Sequence, residues 1–503
     1  MRDASPSVVS VCGFLVGALI VGCGSDGGNA LPTEFVPGDT VTVSKGSPFA
    51  ECSADLDPEL PFFADSEVEP WLVVNPTNRD HFAAVWQQDR YALSACRGNV
   101  TSVSFDAGQN WQEAVLPGLG RCSGGEWDAV SDPWLTFAAN GDLYHVSLVI
   151  ARETEAEPNR HALIVHKSVD GGLTWGNPIT VSETDEGFGE DKETITADPY
   201  DACSVYLVWT RLEPAPPHKL MFSRTTDCGE NWEEARAIRA EIPTEGGDQI
   251  VVLPDGTLFM SIVVGLQVSR VEPWELAGIR SSDGGETWSE PTKIADVHAI
   301  SPFAPDPAQR IRSGWDDIAV DRRTGNLYMV WEDSFREPRL TQVAFAQSTD
   351  GGLTWSPEVR LDQTPVNDYS LLEQAILPSV AVSEDGTIGV TYYNFQNDTA
   401  GDSRSDADHW FIHCHPEVTD CTDAANWGEQ ILLTKESFDY NAAPVSRGLF
   451  LGDYVGLAAA GSDFFALPSI TTEDDPADVV FALPSITTED DPADVVFIPI
   501  RGR

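Results

Sequence analysis

Three arginines stand at corresponding places in this 503-residue chain, each just past an apolar run that contains a Val-Trp pair: Val85-Trp-Gln-Gln-Asp-Arg90, Val208-Trp-Thr-Arg211 and Val330-Trp-Glu-Asp-Ser-Phe-Arg336. A guanidinium offers a planar fork of donors that pairs with a carboxylate through two parallel bonds. Brought to one place, Arg90, Arg211 and Arg336 would hold an acidic substrate group. Carboxylates lie close to the same strand ends, among them Asp89 and Asp317, and a positioned carboxyl group can act as general acid or base. Tyr454, which follows Asp453, and Tyr393 are candidate nucleophiles, because a neighbouring carboxylate can activate a tyrosine hydroxyl by taking its proton. The plainer reading is pairing within the protein: an arginine in an acidic chain binds the nearest aspartate, and Asp89 and Asp333 are at hand.

These arginines end the second strand of a unit that recurs seven times: an apolar strand, a turn, and a second apolar strand. Glu69-Pro-Trp-Leu-Val-Val-Asn75 leads to Phe82-Ala-Ala-Val-Trp86, and Asp317-Ile-Ala-Val-Asp321 leads to Leu327-Tyr-Met-Val-Trp331. Turns such as Asn140-Gly141, Asp255-Gly256 and Asp385-Gly386 carry hairpin chemistry. The first strands begin with Glu67, Glu69, Asp132, Asp191, Glu193, Asp248, Asp316, Asp317 and Asp453, together with Trp71, Trp134, Trp315 and Tyr454. Tryptophans at such places stack on sugar rings or pack in a core.

A second pattern, S/T-x-D-x-G-x-T/N-W, follows the hairpins five times: Ser104–Trp111, Ser168–Trp175, Thr225–Trp232, Ser281–Trp288 and Ser348–Trp355. Its aspartates, Asp106, Asp170, Asp227, Asp283 and Asp350, lie between 56 and 67 residues apart, and such a period marks a repeat architecture. Asp bonds its own backbone and Gly accepts positive φ, so the pattern suits a tight turn. The closing tryptophans Trp111, Trp175, Trp232, Trp288 and Trp355 suit packing between neighbouring repeats.

The pattern resembles the Asp box of the sialidase-like (bacterial neuraminidase repeat) family, over roughly residues 65–467. The resemblance implies an all-β fold, a β-propeller of four-stranded antiparallel blades. The hairpin is then the inner strand pair and the Asp box the outer turn, with function at the opposite end of the blades. Seven hairpins give seven blades, and six is the alternative because the sialidases it resembles have six. It also implies an arginine cluster that grips a substrate carboxylate, and so an exo-sialidase-type glycoside hydrolase acting on extracellular glycan. The competing class is a non-catalytic propeller that binds glycoprotein or protein.

In the sixth hairpin unit the box has decayed, and Cys414 and Cys421 can staple the same turn in place of a metal site at His413-Cys414-His415. Cys203 falls in an inner turn and Cys228 in the neighbouring Asp box, so antiparallel topology predicts a disulfide between them. Cys96 and Cys122 fall at the opposite end and are paired with each other, with Cys52 unassigned.

A net charge of −50 argues against nucleic acid and against anionic lipid surfaces, both of which need clustered Lys and Arg. It suits solubility. Bound Ca²⁺ is the sharper reading, since that ion prefers carboxylate and carbonyl oxygens, but no EF-hand-like loop occurs and no other cofactor is indicated. Val8 to Gly22 is apolar and too short to span a bilayer comfortably. It ends in Ile20-Val-Gly-Cys23, which resembles a bacterial lipobox with Cys23 the lipidated residue. The expected organisation is a signal peptide at 1–22, a tether at 23–45 and a propeller at 46–503, exported to the cell envelope, monomeric, and touching membrane only through its lipid. Residues 465–480 recur unchanged as 481–496, a tandem duplication in the last blade.

Overall fold

The computed structural model describes residues 35–54, 61–92, 94–152, 159–184, 187–215, 217–238, 244–245, 249–264, 274–298, 316–335, 340–365, 374–399, 404–446, 448–472 and 494–502. Among them regular structure is β-strand with three short 3₁₀ turns, and there is no α-helix. The strands form antiparallel sheets built as four-stranded groups that follow the chain. Phe62–Val74 opens the first group and Ala129–Phe137 the second, and these two groups are joined by a single pairing of Cys96 with Val130. Gly189–Ala197, Ile250–Val252, Asp316–Val320 and Ala375–Val382 open the third to sixth. The last group begins with Gly456–Ala460 and Asp463–Leu467, continues with the C-terminal strand Asp494–Gly502, and ends with the N-terminal strand Phe35–Pro37. Val41–Thr42 also pairs with that C-terminal strand, so the sheet takes in residues the sequence places in the tether. Within the duplication, Phe465–Ile470 of the first copy and Asp494–Val496 of the second supply strands; residues 473–493 lie outside the described residues, as does the leader with Cys23.

The second strands of the first, second, third, fifth and sixth groups bury a large tryptophan or tyrosine, and those of the fourth and seventh bury phenylalanines instead. Trp86, Trp209 and Trp331, the Val-Trp residues ahead of the three arginines, are fully buried, and Tyr392 holds the corresponding place in the sixth group. Truncating an aromatic side chain at such a site typically costs about 3–5 kcal/mol.

The five Asp-box turns share one bonding scheme. In the fourth group the Ser281 hydroxyl donates to Asp283 (2.7 Å) and accepts from the Gly285 N–H (2.8 Å), while Asp283 accepts from the backbone and hydroxyl of Thr287 (2.9 and 2.6 Å). Asp106, Asp170, Asp227 and Asp350 make the equivalent bonds. The side-chain and backbone bonds from Thr287 and Asn231 hold the Asp283 and Asp227 carboxyl groups down at about 2. The second glycine of the motif has positive φ and faces the preceding group: Gly285 meets Phe222, Gly352 meets Phe259, Gly229 meets Tyr144 and Gly108 meets Phe497. The tryptophan then packs on the same neighbour, as Trp288 does on Phe222 (centroids 5.9 Å apart), Trp355 on Phe259 (5.6 Å) and Trp111 on Phe497 (5.4 Å). Trp175 instead reaches the preceding group by donating to the Thr101 hydroxyl at 3.1 Å.

Disulfides join Cys203 to Cys228 and Cys414 to Cys421, and in the decayed box Trp427 donates to the Cys421 carbonyl at 2.9 Å, as Trp111 does to Gly108 (3.0 Å). The expected Cys96–Cys122 pair is corrected: Cys122 bonds Cys52, and Cys96 is a free, buried thiol. The segment around Cys52 lies across the first group, where Phe49 occupies the space over Gly98 and Arg97 donates to the Cys52 carbonyl at 2.6 Å. Cys96 instead points into the sheet, 3.0 Å from the Val130 carbonyl.

Gly285→Ala tests the turn packing. An added methyl would lie 2.3 Å from the Phe222 ring at φ +92, so the substitution is expected to lower stability by about 2–4 kcal/mol, combining left-handed strain with overpacking. Gly256→Ala, also at positive φ but with nothing within 4 Å, is expected to cost only about 1–2 kcal/mol. Urea midpoints of the two variants check the difference; equal midpoints would refute the packing role of the box glycine.

Candidate functional site

The first strands of the groups do not run straight. Pairing registers shift between Val68 and Trp71, Ser131 and Trp134, Asp191 and Thr194, and Ile376 and Ser379. At each of these bulges a non-glycine residue has left-handed backbone: Glu69 at φ 55, Asp132 at 44, Lys192 at 59 and Leu377 at 50. Three of the four are followed by proline (Pro70, Pro133 and Pro378), which brings no N–H to the ladder and so suits a bulge. Left-handed backbone at charged and branched residues is strained, and such strain persists where the surroundings enforce it.

The bulges and the adjoining strand starts surround a cavity. It is lined by Trp71, Asp132, Trp134, Lys192, Glu193, Thr194, Gln249, Asp316, Asp317, Glu332, Leu377, Pro378, Asp453, Tyr454 and Val455, so every group from first to seventh contributes. The cavity lies at the starts of the first strands, the end opposite the Asp-box turns.

Aromatic rings form one wall. Trp71 and Trp134 stack with centroids 3.6 Å apart, and Tyr454 meets Trp134 edge-on at 5.0 Å. The Tyr454 hydroxyl donates to the Pro133 carbonyl at 2.9 Å. Burial raises its pKa well above 10, and Glu69, Asp132, Glu193 and Asp453 push the same way. A tyrosine nucleophile requires the opposite surroundings. Tyr393, also deeply buried, donates to the Ser469 carbonyl at 2.9 Å and does not line the cavity.

A single ammonium organises the charges beside that wall. Lys192 Nζ lies 2.5 Å from an Asp453 oxygen and 3.7 Å from Asp132 Oδ2, and these carboxylates hold it charged against the cost of its burial. Burial alone would raise the Asp132 carboxyl pKa; Lys192 and the Ser131 hydroxyl at 2.6 Å reverse this and keep it ionised. One layer deeper, Glu69 accepts from the Asp453 N–H (3.2 Å) and from Gln87, and burial with Asp132 and Asp453 nearby lifts it to about 7. Across the cavity, burial raises Asp316 to about 8 against the pull of the Ser261 hydroxyl, and raises Asp317 to about 6 although Ser379 and Val380 donate to it at 2.6 and 2.9 Å. Glu193 is 2% exposed, its pKa is raised well above 4.5 by burial, and its carboxyl oxygens find no hydrogen-bond partner outside its own backbone.

The residues singled out in the sequence divide accordingly. Asp317 and Tyr454 line the cavity, as do the strand-start residues Trp71, Trp134, Asp132, Glu193, Asp316 and Asp453. Arg90 lies behind the lining, donating to Gln87 and to Ser446 (3.0 Å), with Phe450 beneath it at 4.5 Å. Arg211 is bound to Glu190 at 2.7 Å and to Ser182 at 2.8 Å. Asp89 accepts from Ser47 at 2.8 Å and pairs with Arg97 at 3.1 Å. Arg336, Asp248 and Trp315 lie outside the described residues. The structure therefore does not bring Arg90 and Arg211 together at the cavity, and Lys192 is the residue the sequence reading missed. Its signal was its place between Asp191 and Glu193, at the bulge position held elsewhere by Glu69 and Asp132.

No protein-family profile matches the chain, and no curated protein does. Solved structures do resemble it. They include the Hadza microbial sialidase Hz136 (16% identity over 83% of this chain and 76% of the other, TM-score 0.44). A protein of unknown function from Dyadobacter fermentans matches at 12% identity over 93% and 99% of the two chains, with TM-score 0.49. A leech intramolecular trans-sialidase matches at 11% over 86% and 95%, with TM-score 0.43. At these identities and scores the activity has to be read from this chain's own residues.

Lys192→Met leaves Asp132 and Asp453 buried without their counter-ion, a change that typically costs about 3–5 kcal/mol. Their folded pKa values would then lie above the unfolded ones, so the folded state would bind more protons and the variant should regain stability as pH falls from 7 to 5. Thermal melts across that range check it; a variant that melts like the parent at pH 7 would refute the role assigned to the ammonium.

Proposed function

We propose that the protein is an exported, lipid-anchored, seven-bladed β-propeller that takes the end of a glycan into the axial cavity and hydrolyses a glycosidic bond there. Seven blades are supported by the contacts among first strands, which pass from Phe62–Val74 through each group in turn to Gly456–Ala460 and back to Phe62–Val74. Export is supported by the apolar leader ahead of Cys23 and by three disulfides, which persist in oxidising compartments.

The observation that carries the glycan reading is the makeup of the cavity: Trp71, Trp134 and Tyr454 beside carboxyl groups in opposite protonation states. Apolar rings with a few converging polar groups are the makeup of a small-ligand site, and titratable groups pushed apart in pKa mark out an acid and a base. Asp316, protonated up to about pH 8, is the general acid that passes its proton to the leaving oxygen as the bond to the anomeric carbon breaks. Asp132, held ionised by Lys192 and with Oδ2 free of hydrogen bonds, is the base that takes a proton from the water attacking that carbon. The arginine grip expected for sialic acid has no support at this site: no arginine lines the cavity among the described residues, and Arg211 is already paired with Glu190. A non-catalytic binding propeller would use the same cavity without turnover.

Release of reducing ends from a panel of oligosaccharides tests the reading. Asp316→Asn is expected to lower kcat by at least about 10²-fold, within the range of general acid catalysis, while ligand-induced quenching of tryptophan fluorescence persists. The parent rate should fall as pH rises through about 8, where Asp316 loses its proton. Undiminished turnover in Asp316→Asn would remove Asp316 as the acid, binding without turnover in the parent would establish the binding module, and turnover of a fluorogenic sialoside would restore the sialidase reading.

A further inference from the structure

We infer that the glycan end taken by the axial cavity carries a free amine, as a 2-amino-2-deoxy sugar does, and that Glu193 is the group that receives it. The inference rests on the glycan reading above and narrows its substrate class.

Charge comes first. The described lining holds the carboxyl groups of Asp132, Glu193, Asp316, Asp317, Glu332 and Asp453 against one cation, Lys192, which is engaged by Asp132 and Asp453. Asp132 is ionised and Glu193, Asp316 and Asp317 are held towards the protonated form, so the described lining offers an anionic sugar only a lysine that is already engaged, while an entering cation favours ionisation of the carboxyl group it meets.

Glu193 is the second and independent observation. It lies at the bulge of the third group, 2% exposed, and its carboxyl oxygens find no hydrogen-bond partner outside its own backbone. A buried carboxyl group left in this state is costly. Neutral, it needs an acceptor for its proton; ionised, it needs donors. An ammonium supplies three donors and the compensating charge. The aromatic wall fits the same ligand, because Trp71, Trp134 and Tyr454 line the cavity and an aromatic face offers a sugar ring an apolar bed and a cation the negative side of its quadrupole. N-acetylation of the sugar would remove the charge and reduce the amine to a single N–H, leaving one Glu193 oxygen unmet.

The test uses the full chain and two probes of equal length, the β-1,4-linked glucosamine trimer and its fully N-acetylated counterpart, titrated by calorimetry at pH 6 and by tryptophan fluorescence. The expected result is at least tenfold tighter binding of the glucosamine trimer, with the preference reduced to less than twofold in Glu193→Gln, whose side chain has the same shape. Equal or tighter binding of the acetylated trimer by the parent would overturn the amine assignment and leave the glycan reading standing. Binding of neither trimer would overturn both. A preference that survives in Glu193→Gln would overturn the role of Glu193.

Discussion

The ammonium of Lys192, lodged between Asp132 and Asp453, is the interaction on which the centre of this molecule depends. The three residues come from the third, second and seventh groups of strands, and Glu69 of the first is bonded to the same Asp453 backbone. A protein with 80 acidic and 30 basic side chains has gathered carboxyl groups at one end of its inner strands, and like charges in a dry place repel strongly. One cation divides them into two sets. Asp132, next to it, stays ionised; Glu69, Glu193, Asp316 and Asp317, farther away or more deeply buried, are pushed towards the protonated form. That split leaves the cavity with both ionised and protonated carboxyl groups at neutral pH.

The backbone puts those side chains there at a cost. Regular alternation would send successive side chains to opposite faces of each sheet. The bulges at Glu69, Asp132, Lys192 and Leu377 interrupt it at corresponding places in four groups, each with a residue in left-handed conformation. At the other end of the strands the Asp-box turns are relaxed by comparison: their left-handed positions fall mostly on glycine, and their aspartates are fully bonded. The strain sits at the cavity, and the turns and interlocking tryptophans that fix the groups against one another sit away from it. A rigid frame that holds a strained site is the expected division of labour.

Much of this was legible in the chain because it is written in local grammar. The Asp-box residues specify their own turn, since Ser281, Asp283, Gly285 and Thr287 bond one another within seven positions, and the same holds at the other four boxes. The Cys203–Cys228 bridge followed from which turns share an end of the strands, and Cys414–Cys421 from the place of both within one decayed box turn. The acidic and aromatic strand starts marked the cavity, where Trp71, Asp132, Trp134, Glu193, Asp316, Asp317, Asp453 and Tyr454 meet. Cys52–Cys122 was not legible, because it depends on where a segment 70 residues away lies across the first sheet. Nor was the fate of the arginines: equivalent strand ends place Arg90 behind the lining and Arg211 against Glu190, since the direction of a long side chain is set by the partner it finds.

The sequence by itself therefore determined the strand period, the turn chemistry and the end of the strands at which polar residues collect, because each of these rests on contacts within a few residues of one another. Only the tertiary structure decided which charges face one another. Lys192 and Asp453 are 261 residues apart, and nothing local to either distinguishes it from the other charged residues of the chain. Their pairing, the protonation of Asp316 and the unmet carboxyl of Glu193 arise from distance and burial among strands of different groups, which are properties of the packed molecule and of no single segment.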